Sequence, residues 1–189
     1  EYISKQYSTG ISMDIPSTRY AMTPSRPTKW LRTLVLAVLA AGSAVAADKA
    51  PNGINLPPGY KDWRLISIDQ RTDNHTLRAI LGNDIAVNAA RAGKTNPWPD
   101  GAILGKLVWK NTTHPKWEAV VVAGDFSNAD FMIKDRARYA STGGWGFARW
   151  LGEELKPFGT DKSFDQECFG CHTIVKDSDW VFTRPARIP

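Results

Sequence analysis

Cysteine is nearly absent from this chain, with two among 189 residues, at positions 168 and 171. A framework of several disulfides is therefore excluded, and at most one bridge can form. Histidine and methionine are scarce too, three of each, so a metal centre has few imidazole or sulfur ligands to draw on. Charge of one sign is not in large excess either. The formal net charge is +5. Residues 1–46 hold Lys5, Arg19, Arg26, Lys29 and Arg32 against Glu1 and Asp14. The rest therefore carries nineteen of the 24 basic residues against seventeen of the 19 acidic ones. That excess is small and unclustered, which argues against a nucleic-acid partner. There is no internal repeat and no low-complexity linker.

Long apolar runs are also missing. The stretch Leu34–Ala41 follows Lys29 and Arg32 and precedes Gly42-Ser43-Ala44-Val45-Ala46. A basic start, a short apolar segment and an Ala-x-Ala site make a secretory signal peptide, read from Met22 with cleavage after Ala46 or Ala47. The run is too short for a comfortable membrane span, although an uncleaved anchor is the alternative. Residues 1–46 are set aside as an upstream segment and signal peptide, and residues 47–189 are read as a single domain. That domain is expected to be exported to a periplasm-like compartment and free of the membrane after cleavage.

What is present suits a packed domain: 42% hydrophobic and 23% charged residues, with eight tryptophans. Large flat rings either line a large flat ligand or fill a small core. Trp63–Ile68 and Thr76–Leu81 read as strands. Asn83 caps a short helix over Asp84–Ala92, closed by Gly93. Pro97–Gly101 is a turn. The stretch from Ala102 to Lys110 is a strand, with Ala102, Leu104, Lys106 and Val108 on one face. Glu118–Ala123 is another strand. Lys134–Ala140 reads as one or two helical turns, and Trp145–Trp150 as a strand after Gly143-Gly144. The expected fold is mainly β, or α+β: an antiparallel sheet with a few short helices. A four-helix bundle is disfavoured by the Val120–Val122 run and by the alternation from Ala102 to Val108.

Both cysteines stand in Cys168-Phe169-Gly170-Cys171-His172. A structural disulfide is one reading, since export implies an oxidising compartment. A thioredoxin-like pair belongs early in a βαβ unit, and this pair comes late in a strand-rich chain. Zinc needs four ligands, and neither His75 nor His114 has a matching spacing. The histidine after the second cysteine decides among these, because C-x-x-C-H is the c-type haem attachment pattern. Two thiols three residues apart on a helical turn can each form a thioether with one vinyl group, and the next residue supplies the proximal imidazole. One covalently attached haem c is the expected cofactor, held by Cys168, Cys171 and His172.

The sixth iron position separates electron carriers from ligand-binding haem proteins. No methionine follows His172. Met132, beside Phe131, reads as core, and His75 and His114 read as surface residues. The iron is therefore read as five-coordinate, with one face open to a small molecule.

With that motif at its C-terminal end, the chain resembles the cytochrome P-460 family. The resemblance runs from about Leu56 to Arg184. Leu56–Trp63 resembles the family's opening, Asp100–Lys106 its Asp-Gly-strand-Lys segment, and Lys134-Asp135, Tyr139 and Trp145–Phe147 its middle. Cys168–His172 and Val181-Phe182-Thr183-Arg184 resemble its end. The resemblance implies an exported, largely antiparallel β haem protein that forms a homodimer. It also implies a choice between two activities. One group of members oxidises hydroxylamine and cross-links a lysine to the haem. The related c-prime-beta cytochromes lack the cross-link and bind nitric oxide or carbon monoxide.

Lys106 falls at the cross-linking position, and its face is that of Leu104 and Val108. The alternative is a lysine that reaches past the sheet to solvent. Gly105 before it and Leu107 after it depart from the enzyme pattern. Arg184 resembles the family's terminal arginine and is a candidate partner for a haem propionate, or else an ordinary surface ion pair. Trp145 and Phe147 are candidate haem walls or simple core. Asp100-Gly101 is read as a turn, and Asp125, Glu153 and Glu154 have nothing that puts them over the iron. The leading expectation is a haem oxidoreductase taking hydroxylamine or nitric oxide and passing single electrons to a soluble cytochrome. Gas binding without turnover and plain electron transfer are the alternatives.

Overall fold

Period-two alternation with both faces covered shapes this domain. Along Trp145–Leu151 every residue through Ala148 is buried, because one side of that strand packs Trp145 and Phe147 and the other packs Ala148 and Trp150. The computed structural model describes residues 48–189; the expected signal peptide lies outside them. Six strands form one antiparallel sheet in chain order: β1 (Arg64–Arg71), β2 (Thr76–Gly82), β3 (Ile103–His114), β4 (Trp117–Lys134), β5 (Trp145–Leu151) and β6 (Lys156–Pro157). Two helices are added, α1 (Asp84–Arg91) and α2 (Phe164–His172). The mainly β, α+β expectation holds.

Asn83 caps α1, its Oδ1 accepting from the Ala86 and Ile103 amides at 3.0 and 3.1 Å. Gly93 then takes a left-handed φ of 66° that most side chains resist. One sheet face packs Leu104 and Phe147 with Val87 of α1 and Val181 of the C-terminal segment. The other packs Phe131 and Trp150 with Ala50, Ile54 and Tyr60 of the N-terminal segment and Phe164 of α2. Tyr60, Trp63 and Trp150 meet Phe131 edge-on, with centroids 5.3, 6.2 and 5.7 Å away. Gly105 lies beneath that ring, where a Cβ would stand 2.9 Å from Phe131 Cε1. This close approach explains a glycine directly before Lys106.

The strand expectations hold in place but fall short in length. β3 runs on to His114, and β4 extends eleven residues past Ala123, to Lys134. Of the one or two helical turns expected over Lys134–Ala140, a single i to i−4 bond forms, from the Tyr139 amide to the Asp135 carbonyl at 2.9 Å. Lys134 ends β4, and a single 3-10 turn, Ala140–Thr142, follows. The Asp135 carboxylate accepts from the Arg138 amide at 3.0 Å, a capping bond that opens the Asp135–Tyr139 turn.

Candidate functional site

α2 brings Cys168, Cys171 and His172 to the wall of a cavity of about 690 Å³, opposite the strands of the sheet. Neither cysteine is in a disulfide. Burial pushes the Cys168 thiol up, only partly countered by Arg149. His172 lies between two aromatic rings, Phe147 and Phe182, each with its centroid 5.1 Å away. Its Nδ1 is 2.6 Å from the Trp180 carbonyl oxygen. A carbonyl can only accept, so Nδ1 carries the hydrogen and Nε2 keeps its lone pair. Burial lowers the imidazole pKa despite that hydrogen bond, which favours the neutral form a metal requires.

The sheet side of the cavity is built in rungs. Ile80, Lys106, Asp130 and Arg149 are register partners across β2, β3, β4 and β5. Leu104, Met132 and Phe147 form the next rung. The sheet thus presents an apolar row beside a charged row. Lys106 Nζ lies 2.7 Å from Asp130 Oδ2, and Arg149 Nε lies 2.7 Å from Asp130 Oδ1. Asn128 adds a 2.7 Å donor to the same carboxylate. Burial raises the Asp130 pKa, but Lys106 and Arg149 outweigh it and hold the group below the ordinary aspartate value.

The cavity unites Lys106, Cys168, Cys171 and His172 and leaves Arg184 out. Arg184 is exposed, and it is its backbone carbonyl that accepts from the Ser67 hydroxyl at 2.8 Å. The arginines that line the cavity are Arg71, Arg78 and Arg149. Of the two aromatic candidates Phe147 lines it, whereas Trp145 is fully buried in the core. No tryptophan lines it among the described residues; Trp98, Trp145 and Trp150 fill the core, and the walls are phenylalanine. Met132 packs on the core and also lines the cavity. His75 sits exposed in the β1–β2 turn, and His114 accepts from the Lys116 amide at the β3–β4 turn. Asp125, Glu153 and Glu154 are exposed and away from the cavity. Sequence reading missed Asp130. Its signal was the alternation Asn128, Asp130, Met132, which points at the cavity only once β4 is known to continue that far.

Among the described residues no three or more His, Cys, Asp or Glu cluster closely enough to hold a metal ion by themselves. A family model described as cytochrome P460 matches residues 57–183.

The chain belongs to the cytochrome P460 family.

No curated protein is significantly similar to it. The match covers both rungs and the whole CFGCH motif. As a member of the cytochrome P460 family the protein takes a haem cofactor, and its cavity fits one. The volume lies in the range of sites that enclose a small organic group, roughly 300–1,000 Å³. Ile174 and Phe182 line the cavity while 82% and 54% exposed, apolar surface that a macrocycle would cover. The buried Arg78 Nε has no hydrogen-bond partner among the described residues, and a carboxylate of the group would satisfy it. None of the helices among the described residues is long and apolar enough to cross a membrane.

Proposed function

We propose that the chain is an exported c-type haem oxidoreductase acting on hydroxylamine or nitric oxide. The reading rests on one observation: the charged rung Lys106–Asp130–Arg149 shares a cavity with two free thiols and a neutral histidine. Cys168 and Cys171 would hold the haem by thioethers, each thiol adding across one vinyl group, and His172 Nε2 would hold its iron. When bound, the haem supplies the one-electron chemistry at its open face. Oxidising hydroxylamine releases protons with its electrons, and the Asp130 carboxylate, kept ionised and aimed by Lys106 and Arg149, would stabilise the positive charge that develops beside it. Phe147 and Phe182 shield the histidine from water. The electrons leave singly to a soluble cytochrome, and the working unit is a homodimer.

Lys106 is the candidate for a cross-link to the haem. Asp130 Oδ2 lies 2.7 Å from its amine and fixes where that amine stands in the cavity. The same ion pair also favours a second reading, an uncross-linked nitric oxide or carbon monoxide binder, because it gives the amine a stable partner. Met132 at the cavity wall favours a third, an electron carrier with both axial positions filled. One purified sample separates them. A red-shifted reduced Soret band, a haem–lysine mass adduct and hydroxylamine turnover support the oxidoreductase. An ordinary c-type spectrum with reversible nitric oxide binding and no turnover overturns it in favour of the binder.

A further inference from the structure

Immediately after α2 and the 3-10 turn Thr173–Ser178, two successive residues, Asp179 and Trp180, take left-handed φ values of 53° and 58°. Aspartate tolerates that region because its short side chain bonds locally, but a bulky tryptophan does not. Such pairs persist when their surroundings over-determine them, and they cluster where position matters to function.

The surroundings here are unusually complete. Asp179 Oδ1 lies 2.7 Å from Lys134 Nζ, and Oδ2 accepts from the Trp98 amide at 2.8 Å. The Asp179 carbonyl accepts from Trp145 Nε1 at 2.8 Å, and its amide donates to the Lys176 carbonyl at 3.1 Å. Lys134 is 1% exposed, and Asp179 is 5% exposed. The ammonium also donates to the Gly143 carbonyl at 3.2 Å and lies 4.8 Å from the Trp145 ring centroid. Gly143 in turn leaves room for the Trp180 ring, which a Cβ there would meet at 2.6 Å. Neither Lys134 nor Asp179 lines the haem cavity. A buried ion pair is weak evidence for stability as such, since packed apolar residues do as well. This one sits a single residue from the carbonyl that holds His172 Nδ1 at 2.6 Å.

We propose that Lys134 and Asp179 are a buried latch that fixes the strained Asp179-Trp180 backbone, so that the Trp180 carbonyl holds and polarises the His172 ring. Both are positioning residues for the iron ligand, acting through a backbone carbonyl. A firm Nδ1–H to carbonyl bond makes the imidazole a stronger donor through Nε2 and stabilises the more highly charged iron. Releasing the latch lets the carbonyl withdraw, weakens the iron–imidazole bond and favours the reduced form.

The inference rests on the reading of His172 as axial ligand. The test uses the haem-loaded protein and its Lys134→Met, Asp179→Asn and double variants. Asparagine keeps the left-handed tolerance and an acceptor for Trp98, so Asp179→Asn alone carries the test where Lys134→Met does not fold. The iron–imidazole vibration of the ferrous protein is read by resonance Raman, and the midpoint potential by titration. The latch predicts a lower vibrational frequency and about a tenfold shift of the one-electron equilibrium toward ferrous iron, about 59 mV upward. The double variant shifts no further than the larger single. Lower thermal stability with an unmoved frequency and potential overturns the latch and leaves His172 as ligand. A wild-type protein with no iron–imidazole band overturns the ligand assignment itself, and the latch with it.

Discussion

Asp130 carries two cations on one carboxylate, and the consequences are testable at that residue. Its pKa is lowered in the fold. The stability it contributes is therefore fully present above the unfolded aspartate pKa, about 3.9, and is lost as pH falls through the lower folded value. Asp130→Asn should cost about 2 kcal/mol near neutral pH. It should also flatten the loss of stability below about pH 4, as read by urea denaturation across pH. A variant as acid-sensitive as the wild type would remove Asp130 from that role. The cysteines give a second prediction. The Cys168→Ala/Cys171→Ala protein should release all its haem to acidified organic solvent, while the wild type retains it. CFGCH was legible in the sequence because its chemistry is local, five consecutive residues on one turn. Asp130 was not, because 24 positions separate it from Lys106 and only the β3–β4 register brings them together. Arg184 was legible only as a motif match. A sequence match says nothing of where a guanidinium points, and here other arginines line the cavity.

β3 and β4 set the two rungs, so their packing sets the site. Phe131 is held by three aromatic rings and has no room to move when Gly105 gains a methyl group. Gly105→Ala should therefore cost roughly 1–3 kcal/mol, seen as a lower denaturation midpoint with an unchanged slope. Trp150→Ala should cost about 3–5 kcal/mol, since the ring is fully buried and its Nε1 donates to the Asp48 carbonyl at 2.9 Å. A loss under 1 kcal/mol in the same denaturation would contradict the packing described for that face. The strands were legible where β-branched residues run together, as at Val120–Val122. The second half of β4 was not. Gly124, Asp125, Ser127 and Asn128 carry low strand propensity and span a register shift against β3; from Asn128 on, pairing with β3 and β5 on either side carries the strand to Lys134.

At the scale of the molecule, across the described residues, a six-stranded meander supplies one wall and α2 brings Cys168, Cys171 and His172 to face it. That division explains why motif and fold were readable separately while the pocket between them was not. The eight tryptophans illustrate it: composition alone left them divided between ligand wall and core, and three of them are wholly buried in the core. A homodimer, as proposed, should sediment at twice the mass of the mature, cleaved chain. The central claim is an iron held by His172 with its other face open. Electron paramagnetic resonance of the resting ferric protein tests it most directly. The account predicts a high-spin signal that Met132→Ala leaves unchanged. A low-spin signal that turns high-spin in Met132→Ala would show the iron capped on both sides and contradict it.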